Sequence, residues 1–252
     1  MMLKRLFLLA LTFAAIAPVG AQNMRKVLKK RTAEACVYGN LGYYGNPHWG
    51  AGTNIHYLHG IGRKRQTFSV GMGMRANLFF TKKRDYTTSS DVLSALNPGR
   101  GGDTLYMPEV QTNTLNAYVA MKIFVKRGVF IHINTDIGGI NFGDKQKAFF
   151  RSYETNPLPP GREYNTEPYA FNLQVPGKES YGTIMTEVYG SFKLSDVLYW
   201  RLGLNYLRNE YKVDRLVYMN GTRFSQNNWM VMSGLAFDIR WHKTVEQARF
   251  SL

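Results

Sequence analysis

The stretch Phe68-Ser69-Val70-Gly71-Met72-Gly73-Met74-Arg75-Ala76-Asn77-Leu78-Phe79-Phe80 decides the fold. Taking every second residue gives Phe68, Val70, Met72, Met74, Ala76, Leu78 and Phe80. The residues between are Ser69, Gly71, Gly73, Arg75, Asn77 and Phe79. Successive side chains of a strand point to opposite faces, so one face is apolar and the other small, polar or charged. A helix would scatter both sets around its axis.

The same alternation recurs along the chain. Eight strands are expected, over 35–44, 51–61, 67–80, 113–125, 128–141, 183–194, 197–210 and 229–241. The connections 62–66, 126–127 and 195–196 are tight, whereas 81–112, 142–182 and 211–228 are long; only the link between the first two strands breaks the contrast, being short on the side where the others are long. Long connections carry turn signals such as Asn97-Pro98-Gly99 and Pro159-Pro160-Gly161. Short turns at one end and long loops at the other describe an all-β, eight-stranded antiparallel up-and-down transmembrane β-barrel. A mean hydropathy of −0.29 would be too low for a bundle of spanning helices. It suits a barrel, whose apolar residues are diluted by the inward face and the loops.

The N-terminus reads as an export signal. Lys4 and Arg5 precede an apolar run from Leu6 to Ile16, and Pro18-Val19-Gly20-Ala21 ends in small residues. Cleavage after Ala21 is expected, which divides the chain into a signal peptide (1–21), a basic lead-in (22–34), a barrel (35–242) and a tail (243–252). The expected location is a bacterial outer membrane with lipid as the surrounding partner. The single cysteine, Cys36, excludes an intrachain disulfide and reads as a small buried residue of the first strand.

Tryptophan prefers the bilayer interface. In this register Trp49 and Trp229 fall at the outer rim, and Trp200 and Trp241 at the periplasmic rim. The inward face is expected to hold a charge network of Arg75, Lys122, Asp136, Glu187, Arg201 and Asp238. Eight strands enclose a lumen just wide enough for side chains, so these charges would neutralise one another and plug it. The formal charge is +15, or +13 without Lys4 and Arg5. The long connections are nearly balanced, which leaves most of the excess at the short-turn end. Arg63, Lys64, Arg65, Lys126 and Arg127 form a basic periplasmic face there, suited to anionic headgroups or an acidic partner. Nucleic acid is a poor partner for an exported barrel.

Catalytic, metal and cofactor motifs are not apparent. His56 and His59 fall on opposite faces of a strand and make a poor metal pair. Gly71-Met72-Gly73 lies mid-strand with no helix after it, so it is not a phosphate loop. His132 and Asp136 share the inward face of a strand without a serine at matching spacing, which disfavours a lipid A-modifying enzyme. The expectation is a non-enzyme without cofactors.

The chain resembles the small outer-membrane β-barrels of the OmpA/OmpX type, and among these the PorT-like barrel proteins of Bacteroidetes-type bacteria. The resemblance rests on Tyr38-Gly39-Asn40-Leu41-Gly42-Tyr43-Tyr44, on the turn Gly62-Arg63-Lys64-Arg65, and on the strand from Phe68 to Phe80. The last strand, Leu235-Ala236-Phe237-Asp238-Ile239-Arg240-Trp241, is similar to the aromatic-ended signal read by barrel assembly machinery. The family implies location and fold, with a structural or protein-interaction role. It leaves open a component of an envelope or type IX secretion complex that docks a periplasmic lipoprotein.

Overall fold

The structure is a computed structural model describing residues 31–61, 68–88, 103–151, 163–175, 180–213 and 223–239. Among the described residues, eleven strands form one antiparallel sheet. They are β1 (Arg31–Tyr44), β2 (Asn46–Ile61), β3 (Phe68–Thr88), β4 (Thr104–Lys126), β5 (Val129–Phe142) and β6 (Gln146–Arg151). They continue as β7 (Glu163–Pro168), β8 (Phe171–Leu173), β9 (Ile184–Lys193), β10 (Leu198–Val213) and β11 (Arg223–Ile239). Eight of them close a ring in the order β1-β2-β3-β4-β5-β9-β10-β11, with β11 returning to β1 through Ala33↔Ile239 to Leu41↔Val231. Closure leaves no free sheet edge at this level.

The long connections are more ordered than the sequence suggests. β3 and β4 stay paired up to Thr87↔Thr104, well past the ends expected at 80 and 113. β10 and β11 stay paired up to Lys212↔Arg223. The connection expected over 142–182 contains β6, β7 and β8. β6 pairs with β4 and β7, β7 pairs with β10, and β11 pairs directly with β3 through Phe224↔Thr88 and Ser225↔Thr87. A second ring, β3-β4-β6-β7-β10-β11, therefore sits on the first. The β1–β2 hairpin stops below it at Gly45, whose φ of 71° suits a turn residue without a Cβ.

The two rings differ in which face is apolar. Around the lower ring the outward side chains are large and exposed, as at Ile55, Met72, Leu115, Ile131, Val188 and Leu235. From Phe68 to Phe80 this face covers about 40 Å of strand, or about 30 Å of height at the usual ~40° tilt. The inward face there is buried and mixes charged and amide groups with aromatic and apolar side chains such as Tyr38, Leu58, Tyr118 and Met232. On β3 the order reverses beyond Phe80, where Lys82, Asp85 and Thr87 face out and Tyr86 is buried. Lys83 takes φ 51° at the change of face. Tyr86, Leu105, Met107, Phe150, Tyr211 and Phe224 fill the upper ring and belong to a buried apolar cluster that continues down into the lower ring through Phe79, Tyr189 and Met232. Burial pushes the Tyr86 and Tyr211 hydroxyls well above their ordinary range, so both remain neutral. The Tyr211 hydroxyl donates to the Gln111 carbonyl at 2.8 Å and meets the Thr112 hydroxyl at 2.6 Å.

Candidate functional site

The interior of the lower ring holds a compact ionic core, and β-alternation on six strands aims its members inward. Arg75 on β3 bridges Asp136 on β5 (2.8 Å) and Glu187 on β9 (2.7 Å), with all three side chains fully buried. The Asp136 carboxylate also accepts from the Asn116 amide (2.7 Å) and the Met185 backbone N–H (2.9 Å). Glu187 accepts from the Asn134 amide at 2.9 Å. Gly73 makes room for this group, because a Cβ there would lie 2.5 Å from the Tyr118 ring. The Arg75 guanidinium stacks over that ring at 4.5 Å.

A second set lies nearer the short-turn end. Glu34 on β1 accepts from Lys122 (2.5 Å) on β4 and Arg201 (2.6 Å) on β10, and lies 3.4 Å from His56 on β2. Lys122 and Arg201 also rest over aromatic rings, Phe130 at 4.2 Å and Tyr189 at 4.9 Å. The two sets together contain three carboxylates and three cations. Five members of this core were among the expected interior charges. Asp238 is half-buried beside it, opposite Glu34 in the β1–β11 ladder. The carboxylate that meets Lys122 and Arg201 is instead Glu34, which the sequence reading left in the lead-in. β1 begins at Arg31, inside that segment. The signal was present in the inward series Cys36, Tyr38 and Asn40, which reaches Glu34 one step further back.

His56 and His59 do lie on opposite faces, the first buried and the second exposed. Sequence reasoning missed that His56 meets His132 across the lumen. Glu34, His56 and His132 each present a ligand atom within 4.8 Å of the others. Both Glu34 oxygens already face cations, so a divalent ion would have to displace Lys122 and Arg201 from a buried site. The donor set fits a salt-bridge cluster better than a metal centre.

The aromatic rims are paired. Trp49 stacks on Phe80 at 4.5 Å, Trp229 lies 5.0 Å from Tyr206, and Trp200 lies 5.6 Å from Phe192. The Trp200 indole donates to the Ser233 hydroxyl at 3.1 Å. Trp241 lies outside the described residues, as do Arg63, Lys64 and Arg65. Lys126 and Arg127 are exposed at the tight β4–β5 turn.

No protein-family model matches the chain, and no curated protein matches it. Among solved structures it is similar to neisserial surface protein A, with a TM-score of 0.36 and 9% identity over 84% of this chain and 98% of that one. It is similar to a major outer membrane protein of Thermus thermophilus, with a TM-score of 0.36 and 12% identity over 82% and 99% of the two chains. Ail, the attachment invasion locus protein of Yersinia pestis, matches at a TM-score of 0.29 and 12% identity over 82% and 97%. At these scores the likeness carries no argument for a shared role. The PorT-like resemblance gains no support from the three comparisons.

Proposed function

We propose that this chain is an integral outer-membrane β-barrel with a sealed interior and a structural or protein-interaction role, without catalytic chemistry. The observation that carries this reading is the closed lower ring, apolar and exposed outside and ionic and buried inside. Soluble monomers rarely expose a continuous apolar patch beyond a few hundred Å². A belt around every strand of a ring calls for lipid, and closed barrels satisfy their backbone hydrogen bonds inside it. The matched charges of the lower lumen favour a plug over a path, because each of the six ions of the core already has its counter-ion.

The test is reconstitution. Protein refolded into liposomes should resist carbonate extraction, shift its gel migration on heating, and show no steady large conductance in planar bilayers. Extraction as a soluble protein would overturn the membrane reading, and stable large channels would overturn the seal. Docking of an acidic periplasmic partner through Lys126 and Arg127 is a narrower form of this role. Reversing both charges should abolish capture of such a partner while leaving insertion intact.

A further inference from the structure

The strand register leaves an opening in the wall at the level where the two rings meet. The β2–β3 ladder ends at His48↔Thr81, and β3 meets β11 only from Thr87. On the other side the β1–β11 ladder ends at Leu41↔Val231, and β11 reaches β3 at Ser225. The tip of the β1–β2 hairpin forms the sill. A cavity of about 790 Å³ occupies this window, within the range of roughly 300–1,000 Å³ usual for ligand sites.

Its chemistry is cationic. Lys83, Arg84 and Arg208 line it, against one carboxylate, Asp85, among the described lining residues. Arg84 is 3% exposed, and its Nε has no hydrogen-bond partner. Its terminal nitrogens donate to the Tyr44 carbonyl and to Asn228 (2.7 Å), and lie 3.1 Å from His48 Nδ1, which closes the back of the window toward the lumen. Lys83 holds a backbone conformation uncommon outside glycine, and its carbonyl accepts from the Asn46 amide of the sill at 3.0 Å. The kink is thus braced by the hairpin tip. Exposed Trp49 and Trp229 flank the opening at the upper edge of the apolar belt.

We infer that this window binds the phosphate-bearing headgroup of an outer-leaflet lipid, whose acyl chains lie along the apolar belt below it. The inference rests on the membrane reading. Cations set directly above an aromatic rim match a molecule that is anionic at the interface and apolar beneath it. A free anion would gain nothing from the belt.

Refolded protein in detergent is offered bisphosphorylated lipid A, or the same lipid without its phosphates, and bound lipid is counted by native mass spectrometry. The phosphorylated lipid should be retained about 25-fold better, since three cations against one carboxylate leave two net charges and each strengthens anion attraction about fivefold. Lys83→Gln combined with Asn227→Asp, both at exposed positions, should erase that preference while heat-modifiable migration is unchanged. Equal retention of the two lipids by the parent protein overturns the inference. So does displacement of the lipid by inorganic phosphate at the lipid's own concentration, which would mark a site for free anions. Failure to insert into liposomes overturns the membrane reading with it, whereas insertion without phosphate preference overturns the headgroup site alone.

Discussion

Below the level of Trp49 and Trp229, the strands carry apolar side chains outside and, inside, paired charges set among buried aromatic and apolar groups. Above it, β3, β4, β10 and β11 continue unbroken with exposed polar residues and a buried apolar cluster. One backbone geometry thus serves two opposite distributions. The strand period supplies two faces in both rings, and the surroundings decide which face is greasy. Where the outside is apolar the inside becomes polar, and eight strands leave it too narrow to stay hydrated, so its charges must be matched. Where the outside is water, the inside reverts to the packing of a soluble domain.

The largest expected effect breaks the lower interior. Glu34→Ala removes the carboxylate shared by Lys122 and Arg201, leaving two buried cations without it. Breaking a buried pair from one side costs about 3–5 kcal/mol. Urea unfolding in micelles should show the barrel itself lowered by that amount. Phe224→Ala tests the upper interior, where burial is apolar. Emptying a fully packed phenylalanine site costs about 3–5 kcal/mol as well, but the upper ring should bear it locally. Limited proteolysis should then cut the upper strands while heat-modifiable migration persists. A joint loss of both rings would show that they fold as one unit.

This contrast also explains how much the sequence disclosed. The alternation from Phe68 to Phe80 identified β3 because its apolar face is uninterrupted. The next eight residues are strand too, yet Lys82, Lys83 and Asp85 face out, and the kink at Lys83 shifts the period. A search for apolar residues on the outward face stops at Phe80 for that reason. β6 and β7 were illegible for the same cause, since their outward positions face water. Glu34 was lost because basic residues precede it, although its place in the inward series of β1 was available. The approach of His56 to His132 could not be read locally, because β2 and β5 meet only across the closed lumen. The cationic window depends on where three ladders end, and a local pattern does not carry that.

The smallest effects come from placing one substitution on the same face of the two regions. Met72 is 59% exposed on the outward face of β3, within the apolar stretch between Phe68 and Phe80. Met72→Arg puts a charge near the middle of the belt, where arginine costs about 2–4 kcal/mol in a lipid-facing strand. Thr87 is also exposed on β3, but in the upper ring. Thr87→Arg should change stability by less than about 0.5 kcal/mol, as for an ordinary surface position. Both variants are read by urea titration in liposomes. The difference between them, rather than either value, locates the lipid boundary on a single strand. Equal costs would mean that water or lipid covers both levels, and the polarity reversal at Lys83 would then have no environment to explain it.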